Sequence, residues 1–148
     1  PSVPPALGNR FILIQLFLNL MKNSCEAISN STGEIILETP YRHGMSVSVG
    51  GTQQKIHLPL LISIRDNGVG ISSELTSNIF EPFITTKASG TGLGLAFVAK
   101  AVSDHGGVVE VDSFPGNTVF QITLPVAKSS DNAGSAFTEF ETGLNTKE

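Results

Sequence analysis

The strongest pattern along the chain is an apolar stretch with helical spacing. From Phe11 to Ile28 nearly every position is hydrophobic. Apart from the small Ser24, the exceptions Gln15, Asn19, Lys22, Asn23 and Glu26 recur at steps of four, three, one and three. At about 100° per residue they share an arc of roughly 100°. The pattern therefore predicts a helix over most of residues 10–29, capped by Asn9 and ended by the run 30–33. A helix so apolar is expected to be largely buried. Taken alone, its narrow polar stripe reads as an ordinary solvated face, and only the glycine-rich segments downstream make it face something specific.

Shorter apolar runs follow. Residues 34–41, centred on Ile35, Ile36 and Leu37, predict a strand, and 56–65 (IHLPLLISIR) predict another, stopped by Asp66-Asn67-Gly68. Between them, 42–54 hold Gly44, Gly50 and Gly51 with weak alternation, which fits a hairpin or a long loop. Residues 70–91 read as a loop with one helical turn near 74–80. A second helix is expected from about Gly92 to Asp104, closed by His105-Gly106-Gly107. Two further strands are expected over 108–113 and 118–124, joined by a turn at Phe114-Pro115-Gly116-Asn117. From about 127 to 148 the composition turns to Ser, Thr, Asn, Gly and acids, the pattern of a mobile tail, so 1–126 form one domain. Helices and strands mix without βαβ regularity. The expected class is α+β, an antiparallel-rich sheet with helices packed on one face.

Composition narrows the chemistry. The chain has 148 residues and a net charge of −4, so it lacks the basic footprint of a nucleic-acid partner. The single Cys25 lies on the apolar helix and reads as a small buried hydrophobe in a reducing compartment. No apolar run approaches the roughly 20 residues of a membrane span, and no signal-peptide pattern is present. A cytoplasmic domain is expected. The sequence opens at Pro1 and goes straight into core sequence, which suggests part of a longer protein.

Three segments carry candidate chemistry. Asp66-Asn67-Gly68-Val69-Gly70 places a carboxylate directly after a strand, where it can accept a hydrogen bond from an exocyclic amino group such as adenine's. Its glycines let backbone come close to a flat ring. Gly90-Thr91-Gly92-Leu93-Gly94-Leu95 ends a loop and opens a helix, so free N–H groups and the helix dipole make a place for phosphate. It is neither a Walker loop nor the dinucleotide fingerprint. Between them, Phe80-Glu81-Pro82-Phe83 can hinge or anchor a lid, and Lys87 can reach a phosphate as a point charge. The helix stripe then gains a role. Amide oxygens of Asn23 and Asn19 suit a hard cation such as Mg2+ that bridges phosphates, while Lys22 is a phosphate contact or a snorkelling edge residue.

Asn19-Leu20-Met21-Lys22-Asn23 and these three segments, taken in order, resemble the N, G1, F and G2 boxes of the ATP-binding catalytic domain of sensor histidine kinases. That family belongs with gyrase, the Hsp90 chaperone and MutL. The resemblance covers about residues 7–126 and, from Thr85 to Pro125, is greatest with nitrogen-regulation kinases. It implies a two-layer α/β sandwich with ATP between helices and lid, the lid running from about Gly70 to Gly90. It further implies that Asp66 binds adenine, Asn23 ligates Mg2+, Asn19 lies near the phosphates, and Thr118 lies near the adenine pocket. Gly68, Gly70, Phe83, Lys87, Thr91, Gly92, Leu93, Gly94 and Leu95 complete the expected nucleotide site. The implied catalytic residues are Asn19, Asn23 and Lys87.

The resemblance also implies partners: a dimerisation and histidine phosphotransfer domain, a response regulator and a PII signal protein. Glu26 departs from the pattern, since many histidine kinases carry a basic residue there, and it is expected at most to orient Asn23. None of His43, His57 and His105 sits on a long amphipathic helix beside an acid, so the phosphoacceptor is expected on another domain. Hydrolytic relatives, and serine kinases of the anti-sigma type, tend to place Glu where this chain has Asn19. A non-enzymatic binding module is countered by the intact glycine boxes.

Overall fold

The computed structural model describes residues 5–127 apart from 30, 42, 43, 45, 49–54 and 89. The expected tail and His43 therefore lie outside the described residues, as does most of the stretch between the first two strands. The first helix, α1 (Arg10–Ala27), starts where Asn9 caps it, its side-chain oxygen accepting the amides of Phe11 and Ile12. β1 (Ile35–Glu38) follows, then the short β2 (Ser46–Ser48) and β3 (Lys55–His57), which pair with each other as a small antiparallel ribbon.

The apolar run 56–65 does not form one strand. Pro59 has no N–H to give a ladder, and its ring restricts Leu58 before it. The run splits there into β3 and β4 (Leu60–Asp66). One helical turn, α2 (Ser73–Thr76), lies in the lid segment; α3 (Gly94–Asp104), β5 (Val108–Phe114) and β6 (Asn117–Leu124) complete the chain.

The main sheet has the order β1-β4-β6-β5, and every neighbouring pair is antiparallel. Alternation sets its two faces. Ile64, Phe120, Ile122 and Leu124 pack against Leu16 and Leu20 of α1 and Val98, Ala101 and Val102 of α3. The opposite face carries the exposed Arg65, Glu110, Asp112 and Gln121. The result is the expected two-layer arrangement with helices on one side.

Two expectations about α1 fail. It is not largely buried: Phe11 is 81% exposed and Leu18 58%. Cys25, on the same outer arc as Leu18, is also exposed. In a two-layer fold a helix has only one face against the sheet. Leu16, Leu20 and Ser24, one turn apart, use that face, and no further layer of the described chain covers the rest.

Candidate functional site

At the end of the sheet where β4 stops and β6 begins, a cavity of about 1030 Å³ opens between α1, the lid segment and the start of α3. It reaches the upper end of the roughly 300–1,000 Å³ usual for ligand pockets. Four of the five stripe residues line it: Asn19, Lys22, Asn23 and Glu26. Gln15 lies a turn too early and faces solvent. The stripe is polar because its lower half forms a cavity wall.

Asp66 forms the floor. It is 2% exposed, and its Oδ1 accepts the Gly68 N–H at 3.0 Å, which fixes the carboxylate as the strand turns away. Thr118 sits opposite it in the β4–β6 register and lines the same floor. Gly70, with φ +81°, turns the chain from the floor into the lid.

The roof is the segment from Ile71 to Gly92. Phe80 anchors it, meeting Phe120 of the sheet edge-to-face at 6.4 Å and 73°. Phe83 acts differently. Its side chain is 76% exposed and does not line the cavity, while its backbone takes φ +69°. Its N–H donates to the Gly92 carbonyl at 3.0 Å, and a Cβ on Gly92 would come within 2.5 Å of the Phe83 carbonyl carbon. The two residues close the ends of a loop. Lys87 at its tip reaches across the cavity to α1, donating to Asn23 Oδ1 at 2.9 Å and to Glu26 Oε2. That ammonium holds the Glu26 carboxyl below its usual range, with Lys22, 3.8 Å from the other oxygen, adding to the effect.

The far wall is the N-terminus of α3. Leu93 stands at its cap with no side-chain cap bond, and no acid occupies the first turn. Amides there are left for an anion, and the helix dipole favours one. Thr91, Gly92, Leu93, Gly94 and Leu95 all face the cavity, with Gly94 close under Asn19.

Of the expected site residues, Gly68 and Phe83 alone do not line the cavity; Gly68 instead lets the turn pack against the Ala27 backbone. Apolar lining from Ile79, Ile84 and Phe120 escaped the sequence reading because such residues look like any core. The direct tie of Glu26 to Lys87 spans 61 positions and left no local signal. His105 is structural, its Nε2 accepting the Asn9 N–H while Nδ1 donates to the Ala101 carbonyl. No group of three or more His, Cys, Asp or Glu among the described residues could hold a metal by itself. A cation here would have to be shared with a ligand. Asn23 Oδ1 already accepts a hydrogen bond from the Lys87 ammonium, so this oxygen is turned toward a cation in the cavity and fits that role.

Comparison with known proteins identifies the family. Residues 8–128 match the model of the histidine kinase-, DNA gyrase B- and HSP90-like ATPases. The sensory histidine kinase/phosphatase NtrB of Azospirillum brasilense is 56% identical over 134 residues, 90% of this chain and 34% of that protein. NtrB of Rhizobium meliloti is 51% identical over 129 residues, 86% of this chain and 34% of that protein. The chain thus spans about a third of the length of these relatives. Among solved structures, the mycobacterial sensor histidine kinase MprB superposes with a TM-score of 0.65 at 26% identity, covering 82% of this chain and 76% of that one. Full-length ShkA in complex with AMPPNP gives 0.66 at 27%, covering 84% of this chain and 24% of that one. The chain belongs to the histidine kinase-, DNA gyrase B- and HSP90-like ATPase family, as a domain similar to the catalytic part of NtrB-type sensor kinases.

Proposed function

We propose that this domain holds Mg-ATP between α1, the lid and α3, and presents its γ-phosphate to a histidine on a separate helical dimerisation domain. The parent protein would be a cytoplasmic, NtrB-like nitrogen-regulation kinase that passes the phosphoryl group to a response regulator under control of a PII-type signal protein. Asp66 accepts from the amino group of adenine. The N-terminal amides of α3 take the phosphates, and Lys87 neutralises charge on them. Asn23 offers its amide oxygen to Mg2+, which supplies charge neutralisation on the phosphates when bound. In the transfer, a ring nitrogen of the acceptor histidine bonds to the γ-phosphorus, the bond to the bridging oxygen breaks and ADP leaves. Such transfers depend on positioning and charge, both of which this cavity offers.

The observation that carries the reading is the convergence of a buried carboxylate, an uncapped helix N-terminus and a lid lysine on one cavity. It is tested by mixing the domain with [γ-³²P]ATP and a histidine-bearing dimerisation fragment of an NtrB-like kinase. Acid-labile, base-stable label on that fragment supports the reading. Label on a serine of an anti-anti-sigma protein, or release of free phosphate without transfer, would replace it with an anti-sigma-type serine kinase or a hydrolysing switch.

A further inference from the structure

A row of polar side chains crosses the helix-covered face of the sheet at its cavity end. Strand register sets Asp66 opposite Thr118 and Thr118 opposite Ser113. Opposed residues on one face stand roughly 4.5–5.5 Å apart at Cβ. Asp66 and Thr118 line the cavity; Ser113 stands behind Thr118. The Ser113 hydroxyl oxygen accepts the Ile71 N–H at 2.9 Å, at the root of the lid, and lies 2.8 Å from the Thr118 hydroxyl.

A hydroxyl has a single proton to give. Ser113 receives one hydrogen from Ile71 and keeps both its own proton and a second lone pair, so its bond to Thr118 can run either way. Where Ser113 donates, the Thr118 proton is left over, at the cavity surface and next to Asp66, whose carboxylate can only accept. We propose that Ser113 is a specificity-determining positioning residue, which turns the Thr118 hydroxyl into a donor aimed at a ring nitrogen of the base. An acceptor beside a donor matches the amino group and N1 of adenine. It mismatches guanine, which presents a carbonyl and an N–H at those places. Because the same oxygen holds Ile71, base recognition and the lid root share one anchor. The inference rests on the adenine assignment made above.

Calorimetry with ATP, 1-deaza-ATP (which lacks the ring acceptor) and GTP provides the test. The unaltered domain is expected to bind ATP about fivefold to tenfold more tightly than 1-deaza-ATP, the worth of one ordinary hydrogen bond. In Ser113→Ala that ratio should fall close to one, and the preference for ATP over GTP should shrink. Ser113→Thr should restore both. A merely structural serine would weaken all three nucleotides alike, and an unchanged ratio in Ser113→Ala would overturn the proposal. Thr118→Val removes the same donor without touching the lid root, so a ratio retained there also overturns it. If the unaltered domain binds no adenine nucleotide, the adenine assignment itself falls. If it binds ATP and 1-deaza-ATP equally, only the hydroxyl relay falls.

Discussion

Asp66 gives one carboxylate oxygen to its own turn and leaves the other for the cavity. Asp66→Asn preserves shape but replaces an acceptor by an amide that can present its N–H groups to the base. Calorimetry is expected to show ATP binding abolished while the fold remains, and unchanged affinity would refute the adenine role. Glu26 offers a second residue-level test. Its folded carboxyl titrates below the ordinary range because Lys87 donates to it, so the tie between lid and α1 contributes above that range. It is lost as the pH falls through the lowered pKa. Proteolysis of the loop carrying Lys87, in nucleotide-free protein, should therefore accelerate on acidification below the usual carboxylate range. In Glu26→Gln the rate should be high and nearly independent of pH. That Asp66 and Asn23 line one cavity was legible in the sequence, because turn glycines and helical spacing mark them locally. Ser113 was not, because its importance arises only from the register of three strands.

At the scale of elements, α1 carries an avoidable cost. Ser24 is 1% exposed on the face against the sheet, and its hydroxyl has no hydrogen-bond partner among the described residues. A buried unpaired hydroxyl costs about 1–3 kcal/mol, and alanine is also the better helix former. Ser24→Ala is expected to raise unfolding free energy by about 1 kcal/mol in urea titration. A loss of stability would mean that the hydroxyl has a partner in solution. The extents of α1, α3, β5 and β6 were close to legible, since each has a clean period of its own. The run 56–65 was not, because hydrophobicity outweighed Pro59 in the reading, whereas in the chain the missing N–H decided. The burial of α1 was misjudged for another reason: periodicity reports which residues share a face, not how many faces the fold will cover.

At the scale of the whole molecule, the proposed function separates holding a nucleotide from using it. Asn19 lines the cavity above Gly94, where hydrolytic members of the wider family, by the resemblance, keep a glutamate to activate water. An amide cannot act as that general base. The isolated domain is therefore expected to bind Mg-ATP with negligible steady-state hydrolysis, measured by phosphate release. Substantial turnover would show that another group activates water. The two-layer class and the cavity's four walls were foreseeable from the order of the glycine boxes. Which apolar residues complete the walls was not, because only packing distinguishes them from the core.

The pairing of residues near the two described ends has a consequence of its own. Ala6 bridges Val126, Leu7 donates to the Pro125 carbonyl and Ala127 to that of Pro5. This seam lies beyond the Leu60–Leu124 end of the sheet, whereas the cavity floor lies at the Asp66–Thr118 end. Six residue steps along β6 separate Thr118 from Leu124, about 20 Å at the rise of a strand. Such a layout makes the domain a cassette. A short linker across the seam, with new ends cut in the turn at Pro115-Gly116, would yield a circularly permuted protein in which every strand pairing is retained.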